Sequence, residues 1–223
     1  MGKPHTVMRT FAWLLAGLLL TACAACDGDD AKASAGALAA ARTYVDAIAV
    51  LDLGTADRMT APDQRTTDSP DFPVDVTDAL PDATDPITDP WVTALGPGDE
   101  AGTYAFNVSY RIKSLTGGGT IVLRQATGSD PSEVSSWTVV LPLTQYVDTF
   151  ADRTTVATAR VGNVEVTGYD NEGFQKLWGY PGGYLLKADT DRKDITPLWF
   201  ALGADDLPPW NVDLPGLGPK SDH

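Results

Sequence analysis

The chain has 223 residues, with 16 basic and 30 acidic side chains and a formal net charge of −14. Such an acidic surface argues against nucleic-acid partners and against electrostatic adhesion to anionic lipid. The length is sufficient for one large domain or two small ones, each with a hydrophobic core.

The N-terminal segment carries Lys3 and Arg9 ahead of an apolar run that ends at Cys23. This charge pattern is typical of a secretory signal peptide. The run closes with Leu20-Thr21-Ala22-Cys23, which resembles the lipobox of bacterial lipoproteins. That resemblance implies that residues 1–22 are removed and that the Cys23 sulfur receives a diacylglycerol. It also implies a lipid-anchored protein on the extracytoplasmic face of the cell membrane.

The segment is also compared with three other kinds of N-terminal signal. An uncleaved transmembrane helix would need about 20 apolar residues, more than the run provides. An ordinary secretory signal could be cut within Thr21–Ala25, and the first six residues also fit an N-myristoylation pattern. Cys26 is a poorer lipidation site than Cys23, and the two cysteines leave no disulfide for the folded part.

The next elements predicted are a flexible lipidated tether over 23–34 and an amphipathic helix capped by Ser34. Gly54 is expected to end that helix, and Thr55 to cap a short second helix that reaches Met59. The apolar stripe of the first helix recurs every three or four residues and is read as core: Leu38, Ala41, Tyr44, Val45, Ile48 and Leu51.

Residues 61–100 alternate prolines with aspartates, for example at Pro70, Asp71 and Pro73. Because such dense prolines break both helices and strand ladders, this insert is predicted to be mainly extended loop, with at most one short element. A loop of this length is usually functional or disordered, and the sequence leaves both alternatives open.

From Thr103 the apolar period changes to two, which predicts an antiparallel meander. Its predicted strands run along 104–110, 120–125 and Trp137–Leu143, with the first turn at Gly117–Gly119. The apolar face is expected to receive the N-terminal helix. Its members on the first strand are Tyr104, Phe106, Val108 and Tyr110, with Asn107, Ser109 and Arg111 on the opposite side.

Two helical segments followed by a meander that ends in Trp137-Thr138-Val139 resemble the NTF2-like fold. The resemblance covers about 35–150 and rests on element order, on Asp57-Arg58-Met59-Thr60 and on Trp137. It implies a cone-shaped α+β domain, from which the insert at 61–100 departs, since a third helix is expected near there.

Residues 151–223 are predicted to form a small β-rich module with a Pro/Gly-rich tail from Leu207. Two strands are expected around Gly162, and Pro181-Gly182-Gly183-Tyr184 resembles the turn of a small β module in Gram-positive envelope proteins. Gly182 or Gly183 would then supply a positive φ.

Candidate catalytic and metal-binding residues are few. The only histidines are His5 and His223, at the two ends, and phosphate-loop and nucleophile motifs are missing. Asp189, Asp191 and Asp194 do not keep the spacing of a calcium loop, and they are read, like Asp205 and Asp206, as solvated acidic residues. We therefore expect no catalytic residue, no metal and no cofactor.

A set of aromatic side chains in the second half could form a platform for sugar rings or an apolar ligand, but a core role is favoured. The set is Phe174, Trp178, Tyr180, Tyr184, Trp199, Phe200 and Trp210, of which the last is the strongest candidate for exposure.

The sequence thus predicts a non-catalytic envelope lipoprotein that binds or assembles with envelope proteins or wall polymers. The alternatives are a carrier of a small apolar ligand inside the cone and a carboxylate-dependent hydrolase of wall polymers. The ligand-binding residues are left unidentified.

Overall fold

The computed structural model describes residues 28–64, 73–150, 159–167, 174–188, 197–205 and 212–213. Two helices precede the main sheets: α1 (Gly28–Ala49) and α2 (Leu53–Met59). The strands are β1 (Val74–Asp75), β2 (Thr88–Pro97), β3 (Thr103–Ile112), β4 (Leu115–Gln125), β5 (Trp137–Leu141), β6 (Gln145–Phe150), β7 (Ala159–Val161), β8 (Val164–Val166), β9 (Phe174–Gly179), β10 (Gly182–Ala188), β11 (Leu198–Leu202) and β12 (Val212–Asp213).

Helix α1 starts earlier than expected. Residues 28–34, predicted as flexible tether, are helical, and Ser34 lies inside the helix instead of capping it. The Lys32 ammonium lies 3.1 Å from the Asp130 carboxylate, and Gly36 packs directly on the Pro131 carbonyl. Contacts with the loop before β5 therefore hold these extra turns in place.

The cap of α2 is also different from the prediction. Asp52, not Thr55, is the N-cap, and its carboxylate accepts hydrogen bonds from the Thr55 amide and hydroxyl at 3.0 and 2.6 Å. Helix α1 ends at Ala49, and Gly54, expected to end it, lies within α2. The short second helix itself is confirmed.

The meander sheet has the order β2-β3-β4-β5 and is antiparallel throughout. The predicted alternation of β3 is confirmed, because Phe106 and Val108 are buried while Asn107 and Ser109 are exposed. The first turn lies at Lys113 and Ser114, not at the three glycines, which belong to β4. Lys113 adopts a positive φ of 55° there.

The prediction of a loop is wrong for Thr88–Pro97, which form strand β2 inside the insert. It contains Pro90 and Pro97, which lack the amide donor that an inner strand needs. Within the described residues, β2 is one of the two edge strands of its sheet, where proline is tolerated. Two register shifts, after Thr88 and after Ala94, accommodate the irregular positions.

The earlier part of the insert pairs with strands from the end of the chain. Strand β1 runs parallel to β9, and the sheet continues as β1-β9-β6-β12. The amide of Thr84 donates to the Gly183 carbonyl at 2.8 Å, and the Asp82 carboxylate accepts from the Asn163 amide at 3.1 Å. This part of the insert is not the extended loop predicted, since Thr77–Asp82 form a short 3₁₀ helix.

The remaining sheet has the order β11-β10-β7-β8. The predicted pair of strands around Gly162 is confirmed as β7 and β8, with a φ of 57° at Gly162. The expectation of a positive φ at Gly182 or Gly183 is wrong, since both lie in β10. A side chain at Gly183 would come within 2.9 Å of Asp85 and Trp199, so close packing accounts for this glycine.

Two groups of buried residues form the core. Helix α1 and the inner face of the meander sheet make the first, and Tyr180 and Ala201 from the second half of the chain join it. The second lies between the other sheets and includes Val76, Leu186 and other residues. The chain is thus an α+β protein, as predicted, and its two halves share packing.

Candidate functional site

Nine residues in three neighbouring rows on the outer side of the meander sheet form a surface that we call the Trp91 face. Residues paired directly across neighbouring antiparallel strands project from the same side of a sheet, so each row crosses β2, β3 and β4. The rows are Thr88, Arg111 and Thr116; Trp91, Ser109 and Gly118; and Thr93, Asn107 and Thr120. The next row on the same side, Ala105, Val122 and Leu141, is apolar.

Trp91 is the prominent member of this face. Its residue surface is 68% exposed, although the next residue, Val92, is buried against the core. The alternation of a strand explains the difference, because Val92 points inward and Trp91 outward. Across the sheet from Trp91 lie Ser109 and then Gly118, so its own row has no other large side chain.

The charge of the Trp91 face differs from that of the chain as a whole. Arg111 is the single charged residue among the nine, and none of them has a carboxylate. In the part of the chain that the structure describes, the side chains of Asn107, Ser109 and Arg111 form no hydrogen bond or ion pair. Polar groups that face water in this way are available to a ligand.

Asp85 forms a second polar cluster, at the seam between the two halves of the chain. Its Oδ2 atom accepts hydrogen bonds from Trp199 Nε1 at 2.8 Å and from Thr84 Oγ1 at 3.0 Å. The Lys113 ammonium lies 3.0 Å from the same oxygen and 4.1 Å from the centre of the Trp199 ring. These donors come from three distant parts of the sequence.

The electrostatics of the cluster argue against a proton-transfer role. Desolvation acts to raise the pKa of Asp85, but hydrogen bonds from Lys113, Trp199 and Thr84 outweigh it and the pKa is lowered. A carboxylate with a lowered pKa stays ionised at neutral pH and is a weak general base. Asp85 thus acts as a link between segments.

Buried tyrosines form no nucleophile either. Burial, with a smaller contribution from Tyr180, holds the pKa of Tyr44 well above its usual value. The Tyr44 hydroxyl accepts a hydrogen bond from the Leu143 amide at 3.1 Å, and Tyr184 donates to the Tyr180 carbonyl at 2.9 Å. Both phenols remain neutral and serve to position the backbone.

A groove of about 640 Å³ lies between the first turns of α1 and the β2–β3 turn. Asp30, Asp99 and Glu100 contribute acidic groups to it, and Glu100 is ion-paired with Arg124. The groove is open and bordered mainly by small residues and backbone. It offers neither a nucleophile nor a cluster of metal ligands.

The residues predicted as site candidates have mixed outcomes. The core role is confirmed for Trp178, Tyr180, Tyr184 and Phe200, which are buried, whereas Trp199 is only partly buried and joins the Asp85 cluster. Asp205 is exposed, as expected. The others lie outside the described residues or have no described side chain: Cys23, Cys26, Phe174, Asp189, Asp191, Asp194, Asp206 and Trp210.

Trp91 was not singled out from the sequence, because the surrounding prolines suggested a loop. The available signal was the alternation of Trp91, Val92 and Thr93, which is short but has the period of a strand. No group of three or more potential metal ligands is found among the described residues. Within the same residues, no helix is long and apolar enough to span a membrane.

Comparison with protein families, with characterised proteins and with solved structures finds no match for this chain.

Proposed function

We propose that this protein is a non-catalytic lipoprotein of the cell envelope, anchored through Cys23 on the extracytoplasmic face, that acts as a binding module. We propose further that its first half is an NTF2-like domain and that its C-terminal strands form a small β module of the Gram-positive envelope type. The order of α1, α2 and the meander sheet supports the first assignment.

The observation that carries the binding role is the Trp91 face. Large exposed aromatic side chains on a sheet are enriched at recognition surfaces, because they bury much area with little loss of conformational freedom. The face also lacks carboxylates in a chain that has 30 acidic residues. A surface of this composition suits a partner that the rest of the chain would repel.

Surface binding is favoured over an apolar ligand inside the domain. The space between α1 and the meander sheet contains the fully buried side chains of Tyr44, Ile48, Phe106 and Leu123. These side chains occupy the volume that an apolar ligand would need. Asp85 is also disfavoured as a member of a hydrolytic carboxylate pair, since it is fixed by three donors.

Anchoring is tested by fatty-acid labelling in the native host, followed by fractionation. Cys23→Ala should abolish labelling and leave the protein unprocessed or shed, because the thioether to the lipid cannot form. Cys26→Ala is the matched control and should be labelled and retained like the wild type. Retention of Cys23→Ala in the membrane without lipid would exclude the proposed anchor.

A further inference from the structure

The rows on either side of Trp91 supply hydrogen-bonding groups at regular distances. Neighbouring rows on one face of a strand are separated by two residues, or about 7 Å. One flanking row contains the amide of Asn107 between two threonines, and the other contains the guanidinium of Arg111 between two threonines. The indole is therefore bordered by hydroxyl and amide groups on one side and by a cation on the other.

We propose that the Trp91 face binds an acidic polysaccharide of the envelope. A sugar ring would stack its C–H face on the indole of Trp91, above the low surface made by Ser109 and Gly118. Its hydroxyl groups would exchange hydrogen bonds with Asn107, and a carboxylate on the glycan would pair with Arg111. This inference rests on the proposed binding role and names its ligand class.

Stacking on Trp91 follows from the electronic character of both partners. The face of an indole carries partial negative charge, and the C–H groups on one face of a sugar ring carry partial positive charge. A ring needs a flat and uncrowded approach to make this contact. Ser109 and Gly118 leave that approach open, since neither extends a large side chain from the sheet.

Arg111 accounts for the preference for an acidic glycan. A guanidinium can donate two parallel hydrogen bonds to a carboxylate, which makes such contacts strong and selective. None of the nine residues of the Trp91 face has a carboxylate that would repel the ligand. The nearest one along β2 is Asp89, which lies in the irregular stretch between Thr88 and Trp91 and makes no ion pair with Arg111 among the described contacts.

A protein partner or a second copy of the chain fits this face less well. A standard protein interface buries about 800 Å² on each side and has a core of apolar side chains. Apart from Trp91, the nine residues are polar, charged or glycine, and the apolar row on this side of the sheet, Ala105, Val122 and Leu141, lies two rows away from Trp91. Burial of the Asn107 amide and the Ser109 hydroxyl beneath an apolar interface would be costly, but both groups match the many hydroxyl groups of a sugar chain.

Calorimetric titration tests the proposal with the full chain in a polyoxyethylene detergent, which has no sugar headgroup. The probes are hyaluronan tetrasaccharide, which alternates N-acetylglucosamine with glucuronate, and neutral chitotetraose. The hyaluronan fragment should bind about tenfold more tightly, as expected for one carboxylate–guanidinium contact. Arg111→Gln should remove this preference and leave chitotetraose binding unchanged.

Trp91→Ala should weaken the binding of both probes by about tenfold or more, and Trp91→Phe should restore part of it. Tyr146→Ala is the matched control, because Tyr146 is an aromatic residue on another sheet that is 58% exposed, and it should bind like the wild type. Wild-type affinity in Trp91→Ala, no binding of either probe, or a dimer in sedimentation that Trp91→Ala dissociates would each overturn the inference.

The labelling and titration experiments test the lipid anchor and the polysaccharide ligand independently. A chain that binds the glycan but is not lipidated would exclude the proposed anchor alone. A chain that is labelled at Cys23 but binds neither probe would exclude the polysaccharide alone.

Discussion

The indole N–H of Trp199 donates a 2.8 Å hydrogen bond to the carboxylate of Asp85, a residue 114 positions earlier in the chain. Lys113, at the tip of the β3–β4 turn, approaches both partners. One residue from the insert, one from the meander sheet and one from β11 thus meet at a single point.

Removal of this carboxylate should destabilise the fold. Asp85→Ala is expected to lower the free energy of unfolding by about 1–2 kcal/mol, because hydrogen bonds to a charged group are lost and their donors remain without an acceptor. Asp85→Asn keeps an acceptor and should cost less. Urea denaturation measures the stability of both variants. Equal stability of Asp85→Ala and the wild type would mean that the Asp85 cluster contributes nothing to the free energy of unfolding.

Asp130 should make stability depend on acidic pH. Hydrogen bonds from the Ser132 amide and hydroxyl, together with Lys32, lower its pKa to about 2, compared with about 3.9 in an unfolded chain. Since the folded pKa is the lower one, the carboxylate stabilises the fold above pH ~4, and this contribution is lost as the pH falls towards 2.

Asp130→Asn should therefore be less stable than the wild type at pH 6, and the difference should shrink as the pH falls from 4 to 2. Denaturation curves across this range measure the effect. Asp46→Asn is a suitable control, because Asp46 is exposed on α1 and makes no ion pair among the described contacts. A constant difference at every pH would contradict the assignment.

Alanine should destabilise the protein at one helical glycine but not at another. Gly36→Ala places a methyl group against the Pro131 carbonyl, so the contact between α1 and the β4–β5 loop must open, at a cost of about 1–3 kcal/mol. In Gly54→Ala the new methyl group meets the side chains of Arg58 at 3.3 Å and Asp52 at 3.5 Å.

Because a long side chain such as Arg58 can adjust, Gly54→Ala should be neutral or stabilising by up to about 1 kcal/mol through its higher helix propensity. Thermal unfolding followed by circular dichroism compares the two variants directly. Destabilisation by Gly54→Ala equal to that by Gly36→Ala would show that helix packing is not the cause.

The two halves should unfold together. Strands β6 and β1 pair with opposite sides of β9. Tyr180 packs edge-on against Tyr44 of α1, with 6.5 Å between the ring centroids. A fragment of residues 156–223 lacks both β1 and β6, so it should be unfolded or aggregated. The full chain should melt in one calorimetric transition, and two separate transitions would contradict this expectation.

Local periodicity made α1 and β3 predictable. The stripe that includes Tyr44 and Ile48 and the alternation from Phe106 to Arg111 both follow from a single buried face. The turn between β3 and β4 was predicted at the wrong place because glycine can occur either in a turn or where another group packs closely on the backbone. Gly117 is required by the close approach of Tyr110 and the Gly203 backbone, and sequence spacing cannot distinguish this from a turn.

The Trp91 face could not be predicted for a different reason. Its rows join residues from three strands, and their alignment depends on pairing that the local pattern of β2 does not specify. Pro90 and Pro97 also signal a loop unless the strand is known to lie at an edge. The hydrogen bond between Asp85 and Trp199 also depends on long-range packing. No pattern in the sequence near either residue indicates that the two side chains meet.

Because α1 already includes Gly28, the orientations that the folded part can adopt relative to a membrane are limited. With a lipid on Cys23, the five residues to Gly28 can span at most about 18 Å. The start of α1 and the β2–β3 turn, with Asp30, Asp99 and Glu100, would then face the bilayer, and any anionic headgroup there would repel their carboxylates. Trp91 lies six residues from the end of β2 at Pro97, about 20 Å farther along the strand. The short tether and this repulsion together would favour an orientation in which Trp91 lies farther from the lipid than the β2–β3 turn does.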